Sequence, residues 1–177
     1  MHAVYKAPKV LRTGQVKRAE DRTWPEVRVF CGPPGAGKST MVNNQAQPGE
    51  LVVEFDRLAR ALSPVPVGQS DSGHHHGEHA GVKDFIFAAQ NALLKRLRFS
   101  SDIERAWLTA LAPTNKQRAR YLIGPDARMT ILSVPPEVAH ARCAADCRPD
   151  LWHSLIDDYY ERYEEPTDER VEIRTDY

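Results

Sequence analysis

Residues 32 to 40 bring three glycines, a lysine and two hydroxyl residues into one short stretch. The sequence Gly-Pro-Pro-Gly-Ala-Gly-Lys-Ser-Thr fits the pattern GxxxxGK[ST]. Its glycines let backbone N–H groups turn inward toward phosphate oxygens, and a helix that starts near Lys38 adds its positive end. We expect Lys38 to contact the β- and γ-phosphates of ATP and the Ser39 hydroxyl to bind Mg²⁺. The predicted nucleotide-binding residues are Gly32, Pro33, Pro34, Gly35, Ala36, Gly37, Lys38, Ser39 and Thr40.

A second candidate is Asp56, which follows the apolar run at residues 51–55. If that run is a strand of a parallel sheet, its carboxyl end faces the crevice in which such sheets bind ligands. An aspartate there can accept the proton of a hydroxyl or orient that hydroxyl for attack on a phosphoryl group. The structural alternative is a cap on the following helix. On that helix, Arg57 and Arg60 are candidates for binding a substrate phosphate or are simply solvated.

Two more groups of basic residues are candidates for binding charged oxygens. Arg142 and Arg148 flank the end of a predicted helix, where arginines would neutralise charge on a transferred phosphoryl group. A short polar segment further upstream is also basic, and both a nucleic-acid contact and a solvated helix face are open for it. The basic residues of that segment are Lys116, Arg118 and Arg120.

The elements that must position these residues alternate between short β-branched runs and longer amphipathic ones. Strands are predicted at residues 27–31, 51–55, 105–110 and 128–134, and residues 171–174 either add an edge strand or stay loose. Helices are predicted at residues 38–45, 57–62, 82–97, 114–120, 137–147 and 151–164. In the third helix we expect one apolar side to carry Phe85, Ala88, Ala89, Ala92, Leu93 and Leu97. The alternation predicts an α/β P-loop fold with a mainly parallel sheet of four or five strands flanked by helices.

Composition and charge are those of a soluble globular protein. The 177 residues are 41% hydrophobic and 27% charged, and Lys plus Arg equals Asp plus Glu at 24 each, which excludes a disordered chain and a uniformly basic surface. We assign residues 1–25 to a basic N-terminal arm, 26–165 to one P-loop domain and 166–177 to an acidic tail. The arm is either solvated or contacts an anionic partner.

Signals for metal-binding clusters, disulfides and membranes are weak. Residues 63–81 are predicted to form a mobile loop, because its histidines lie in sequence rich in Gly and Ser that does not fix a metal geometry. Those histidines are His74, His75, His76 and His79. The odd number of cysteines, Cys31, Cys143 and Cys147, favours reduced thiols and a cytoplasmic location. No apolar run is long enough to span a bilayer, so we expect no membrane partner.

Taken together, these motifs resemble those of small phage or prophage P-loop kinases. Such kinases are relatives of polynucleotide 5′-hydroxyl kinases and of the phage kinases that phosphorylate 5-hydroxymethyluracil in DNA. The likeness covers roughly residues 26–165. It is carried by the glycine loop, by Val-Val-Glu-Phe-Asp at 52–56, by the arginine-bearing helix at 141–148 and by Ile-Asp-Asp-Tyr-Tyr at 156–160.

The resemblance implies transfer of the ATP γ-phosphate, with Mg²⁺, to a hydroxyl on a nucleic acid or nucleotide. It implies Asp56 as general base and Arg142 with Arg148 as lid arginines. The third strand departs from the family, because residues 106–110 end without the acid of a Walker B motif. The second contact to Mg²⁺ is then expected from a bridging water or from Asp56.

Two other functions use the same donor site. One is a kinase of a small molecule, such as a nucleoside, sugar or antibiotic. The other is a nucleotide-dependent binding or assembly ATPase without a phosphoryl acceptor. Neutral overall charge favours either alternative, whereas the basic arm and residues 116–120 favour a nucleic acid. If a phage encodes the protein, the expected location is the host cytoplasm.

Overall fold

Five parallel strands form one sheet in the computed structural model, which describes residues 24–62, 81–148 and 150–175. The strands are β1 (Glu26–Cys31), β2 (Leu51–Val53), β3 (Arg105–Ala110), β4 (Arg128–Leu132) and β5 (Val171–Arg174), and their order in the sheet is β2-β3-β1-β4-β5. β5 pairs with β4 from Met129↔Val171 to Leu132↔Arg174. Residues 171–174 are therefore an edge strand, which was one of the two predicted alternatives.

The helices follow the predicted order and differ from it mainly at their ends. They are α1 (Lys38–Gln45), α2 (Phe55–Leu62), α3 (Lys83–Arg96), α4 (Asn115–Ala119), α5 (Pro136–Ala145) and α6 (Leu151–Glu161). None of the helices in the described residues is both long and apolar enough to cross a membrane. The predicted α/β fold with a parallel sheet is confirmed.

The sheet is buried on both faces, as expected for parallel strands. Val27, Val29 and Cys31 of β1 point into one apolar cluster, which Leu94 of α3 also joins. Phe30 of the same strand points into the other cluster, which α1, α5 and α6 help to form. β1 is also the central strand of the sheet, so the loop that leaves its carboxyl end starts from a fixed point.

The start of α2 corrects the prediction for residues 51–55. β2 ends at Val53, where its pairing with Leu108 of β3 also ends. The carbonyl of Glu54 then accepts the N–H of Leu58 at 3.1 Å, which is the first helical bond. Phe55 and Asp56 therefore lie in the first turn of α2, where the negative charge of Asp56 is favourable to the helix dipole.

Helix α3 turns a different face to the core from the predicted one. Ile86 is 0% exposed and Leu94 is buried, whereas Phe85 is 71% exposed. Of the six residues predicted for the buried side, only Leu97, which follows the helix, is fully buried. Apolar residues lie on several sides of this helix, so periodicity alone selects the wrong face.

Several predicted segments lie outside the described residues. They include most of the basic arm at 1–25, which is described only from Trp24, and the loop at 63–81, of which only Gly81 is described. The four histidines of that loop also lie outside the described residues. The domain boundaries stay a prediction.

The corrected face of α3 gives a stability prediction with an adjacent control. Ile86→Ala should lower the free energy of unfolding by about 2–5 kcal/mol, because it leaves a cavity in the core. Phe85→Ala should change it by less than about 0.5 kcal/mol, because its ring is largely in solvent. Urea denaturation of both variants measures the two changes. An equal or larger loss for Phe85→Ala would contradict the observed face.

Candidate active site

The glycine-rich loop joins β1 to α1 and turns where only glycine fits. Gly35 has a φ of 76°, and a Cβ added there would lie 2.8 Å from the carbonyl oxygen of Ala139 in α5. Gly37 has a φ of 88° and is the N-cap residue of α1, with no side chain to accept the first helical N–H groups. Those N–H groups are available to phosphate oxygens, and the positive end of the helix adds to their attraction.

Lys38 is the first residue of α1, and its amine lies against the loop. Its Nζ donates to the carbonyl oxygens of Gly32 at 2.9 Å and Pro33 at 2.7 Å. Burial lowers the pKa of Lys38 to about 8, and the nearby negative charges of Glu54 and Asp56 act against this shift. The amine is therefore mostly charged at neutral pH and can bind phosphate oxygens there.

Glu54, which directly follows β2, was not among the predicted site residues. Its residue surface is 5% exposed, and its carboxylate accepts hydrogen bonds from Ser39 Oγ and, at 3.2 Å, from Arg57 Nε. The signal in the sequence was an acid between Val53 and Phe55, at the end of an apolar run. The Ser39 hydroxyl and the Glu54 carboxylate are the hard oxygen ligands that Mg²⁺ prefers, so this pair fits a magnesium ion.

A cavity of about 980 Å³ opens at the carboxyl end of the sheet and brings most of the predicted residues together. Glu54 is also on its wall. The predicted residues that line the cavity are Pro34, Gly35, Ala36, Gly37, Lys38, Ser39, Thr40, Asp56, Arg120, Arg142 and Arg148. Gly32 and Pro33 do not line the cavity. They are buried at the start of the loop, and their carbonyl oxygens accept hydrogen bonds from Lys38.

Arg142 and Arg148 lie on the opposite side of this cavity from α2. Arg142 is in α5, and its Nη1 donates to the carbonyl oxygen of Gly35 at 3.1 Å. Arg148 pairs with Asp146, Nη2 to Oδ2 at 2.9 Å, and its guanidinium lies 5.1 Å from the centroid of the Trp152 ring. Both cations are therefore held by contacts beside the loop.

Three other predicted substrate residues do not themselves line the cavity, although Arg57 contacts two residues that do. Arg57 contacts Glu54 and Asn43, and Arg60 is exposed in the last turn of α2. Lys116 is exposed on α4. Among the five basic residues assigned to the substrate, Arg120 alone lines the cavity.

Arg118 has a structural role, which corrects its assignment to a nucleic-acid contact. It is 1% exposed, and its guanidinium donates to the carbonyl oxygens of Ala112 at 3.1 Å and Pro113 at 2.6 Å. Ala112 has a φ of 41°, a strained conformation for a residue other than glycine. Because Ala112 is on the cavity wall, Arg118 stabilises the shape of that wall from behind.

The three cysteines are free thiols in this structure. Cys31 and Cys143 are buried, and Cys147 is exposed. Burial raises the pKa of Cys31 to about 11, so its thiol is protonated at neutral pH, and it contacts the carbonyl oxygen of Leu111 at 2.7 Å. Within the described part of the chain, no group of three or more His, Cys, Asp or Glu residues could hold a metal ion.

Comparison with known proteins identifies the fold. The sequence matches no protein-family model and no curated protein. Among solved structures, a gluconokinase from Sinorhizobium meliloti 1021 is similar with a TM-score of 0.53 and 21% identity, over 86% of this chain and 83% of that chain. A shikimate kinase from Acinetobacter baumannii, in complex with shikimate, is similar with a TM-score of 0.50 and 16% identity, over 86% of this chain and 85% of that chain.

The chain has the fold of the P-loop kinases. These identities are low, so the likeness extends to the fold and no further. The resemblance to phage, polynucleotide or 5-hydroxymethyluracil kinases stays a prediction.

The structural role of Arg118 behind the cavity wall can be tested by stability. Arg118→Ala should lower the free energy of unfolding by about 2–4 kcal/mol, because it leaves buried carbonyl oxygens without a donor. Arg120→Ala, two residues along and exposed, is the matched control and should change it by less than about 0.5 kcal/mol. Thermal and urea unfolding measure both variants. Equal small effects would contradict the structural role of Arg118.

Proposed function

We propose that this protein is an ATP-dependent kinase that transfers the γ-phosphate to a hydroxyl group on a nucleic acid or nucleotide. The observation that carries the proposal is the convergence of Lys38, the Ser39–Glu54 pair and Asp56 on one cavity. A phosphate-binding loop alone would suit any nucleotide-binding protein. A carboxylate across the same cavity supplies what a hydroxyl acceptor requires.

In the proposed reaction, the acceptor hydroxyl oxygen attacks the γ-phosphorus of ATP and its proton passes to the Asp56 carboxylate. The bond between that phosphorus and the β,γ-bridging oxygen breaks, and ADP leaves. Lys38 and the backbone N–H groups of the loop bind the phosphates, while Arg142 and Arg148 neutralise charge on the transferred group. Ser39 and Glu54 would hold Mg²⁺, which supplies positive charge beside the phosphate oxygens.

A small-molecule kinase is the second candidate. The two similar structures are named as a gluconokinase and a shikimate kinase, and a pocket for a small hydroxy acid would use the same donor residues. Incubation with γ-labelled ATP and a panel of acceptors separates these functions. The panel contains single-stranded and duplex DNA, RNA, hydroxymethylated DNA, nucleosides, nucleotides, gluconate and shikimate.

Label on any acceptor supports a kinase and identifies the class of acceptor. Release of labelled phosphate without an acceptor product would contradict the kinase and favour the ATPase. Lys38→Ala serves as the donor-site control, because it removes the amine that binds phosphate.

Asp56→Asn tests the general base. The substitution keeps size and helix position, and it should lower kcat by about 10²- to 10⁴-fold while ATP binding changes by less than about tenfold. Asp84→Asn is the matched control, because Asp84 is also in the first turn of a helix, α3, but is not on the cavity wall. Phosphate transfer by Asp56→Asn at the parental rate would remove the general base from the proposal.

Glu54→Gln tests the magnesium site. The Mg²⁺ concentration for half-maximal activity should rise about 10- to 100-fold, because a carboxylate that binds or orients the metal shell is lost. Nucleotide binding measured in EDTA should be unchanged within about threefold. The same titration of Asp56→Asn separates the two acids. A shift in Asp56→Asn alone would make Asp56 the ligand instead of Glu54.

A further inference from the structure

The cavity wall beyond Asp56 carries side chains that the proposed phosphoryl transfer does not use. Helix α3 brings Lys83, Phe87 and Gln90 to this wall, at positions i, i+4 and i+7, which share one helix face. Lys83 Nζ lies 6.0 Å from the centroid of the Phe87 ring, and Gln90 is only 7% exposed. A cation, an aromatic ring and an amide therefore follow one another along the wall.

The aromatic part of this wall adjoins Asp56, the proposed general base. The Phe87 ring lies 5.0 Å, centroid to centroid, from the ring of Phe55, which directly precedes Asp56 in the chain. Phe87 remains 42% exposed although it lines the cavity. An exposed ring in a cavity presents an apolar face on which another flat ring can stack. We call Phe55 and Phe87 the aromatic shelf.

Two cations line the cavity beside α3, the helix that carries Phe87. Lys83 lies on α3 itself, and Arg120, just after α4, is held to the same helix, because its Nη2 donates to Asn91 Oδ1 at 3.3 Å. Of the three acids that line the cavity, Glu54 contacts Ser39, Asp56 is the proposed base and Asp146 pairs with Arg148. This half of the cavity therefore suits an acceptor that carries an anionic group as well as a flat ring.

We propose that the aromatic shelf is the acceptor subsite and that it takes one unstacked nucleotide unit. This inference rests on the proposed function and names the part of the acceptor that is recognised. The base lies against Phe87, the Gln90 amide hydrogen-bonds to the edge of the base, and Lys83 with Arg120 attracts the phosphate. A base paired and stacked in a duplex has no free face for Phe87, so the nucleotide is either free or part of a single strand.

The size and chemistry of the cavity agree with this occupant. A volume of about 980 Å³ is at the upper end of the range of roughly 300–1,000 Å³ for the site of one ligand, so the cavity is not limited to a small hydroxy acid. A polyhydroxylated acid offers many hydroxyl groups and no flat π face. The phenyl rings of Phe55 and Phe87 provide no hydrogen bond to such an acid.

The decisive variant is Phe87→Ala, with Phe85→Ala as its matched control. Phe85 is on the same helix but does not line the cavity. Loss of stacking should raise the acceptor KM and the Kd of a nucleoside monophosphate by about 5- to 150-fold, with ATP binding unchanged within about twofold. Phe87→Trp should keep acceptor binding near the parental value. Thermal unfolding of each variant establishes that the protein is folded.

The acceptor arms are nucleoside 3′- and 5′-monophosphates, a single-stranded trinucleotide, the same sequence in a duplex, and gluconate. A lower KM for the monophosphates or the single-stranded trinucleotide than for the duplex supports the subsite. The ratio between the KM values of the monophosphates and the trinucleotide shows whether the acceptor is a free nucleotide or part of a single strand. Transfer to gluconate with equal KM in Phe87→Ala and Phe85→Ala would overturn the subsite while leaving the kinase intact. Nucleotide binding that depends on Phe87, without transfer to any acceptor, would overturn the kinase and leave the subsite.

Discussion

The hydrogen bond between Ser39 and Glu54 joins the segments that follow β1 and β2, and the site depends on this connection. β3 lies between β1 and β2, so the carboxyl ends of β1 and β2 are about 10 Å apart. The loop and α1 carry Ser39 from the end of β1, and Glu54 stands at the end of β2. β3 ends without an acid at this edge of the sheet, and the carboxylate beside the Ser39 hydroxyl follows the neighbouring strand, β2, instead.

This contact marks the limit of what the sequence predicts. The loop, the full extent of α1 and the bounds of β3 were predicted because a glycine motif and β-branched runs are local signals. The role of Glu54 depends on the strand order β2-β3-β1, which is a long-range property. The face of α3 was missed for another reason: Phe85, Ile86 and Phe87 are consecutive apolar residues, and tertiary packing, not periodicity, selects Ile86 for the core.

The arginines show a similar limit, because residue type does not separate a ligand contact from a structural one. Arg118 and Arg120 differ by two positions, yet one is buried on backbone carbonyls and the other lines the cavity. The difference arises in the segment that follows β3. There the positive φ of Ala112 turns backbone carbonyl groups inward, and buried carbonyl oxygens require a hydrogen-bond donor. Arg118 meets that requirement together with the Cys31 thiol, which contacts the carbonyl oxygen of Leu111. This part of the cavity wall is therefore supported from the core.

The two halves of the cavity are supported differently, and this bears on how an acceptor is aligned. The donor half is backbone between β1 and α1, fixed by the central strand and by the close approach of Gly35 to α5. The acceptor half is carried by α2 and α3, which pack against each other through Phe55 and Phe87. Because α2 holds the Asp56 carboxylate and α3 holds the ring on which a base would stack, any movement of this helix pair would carry both together. The distance between the acceptor hydroxyl and the Asp56 carboxylate would then be set within the helix pair. Closure of the helix pair toward the loop would only have to bring that hydroxyl to the phosphate.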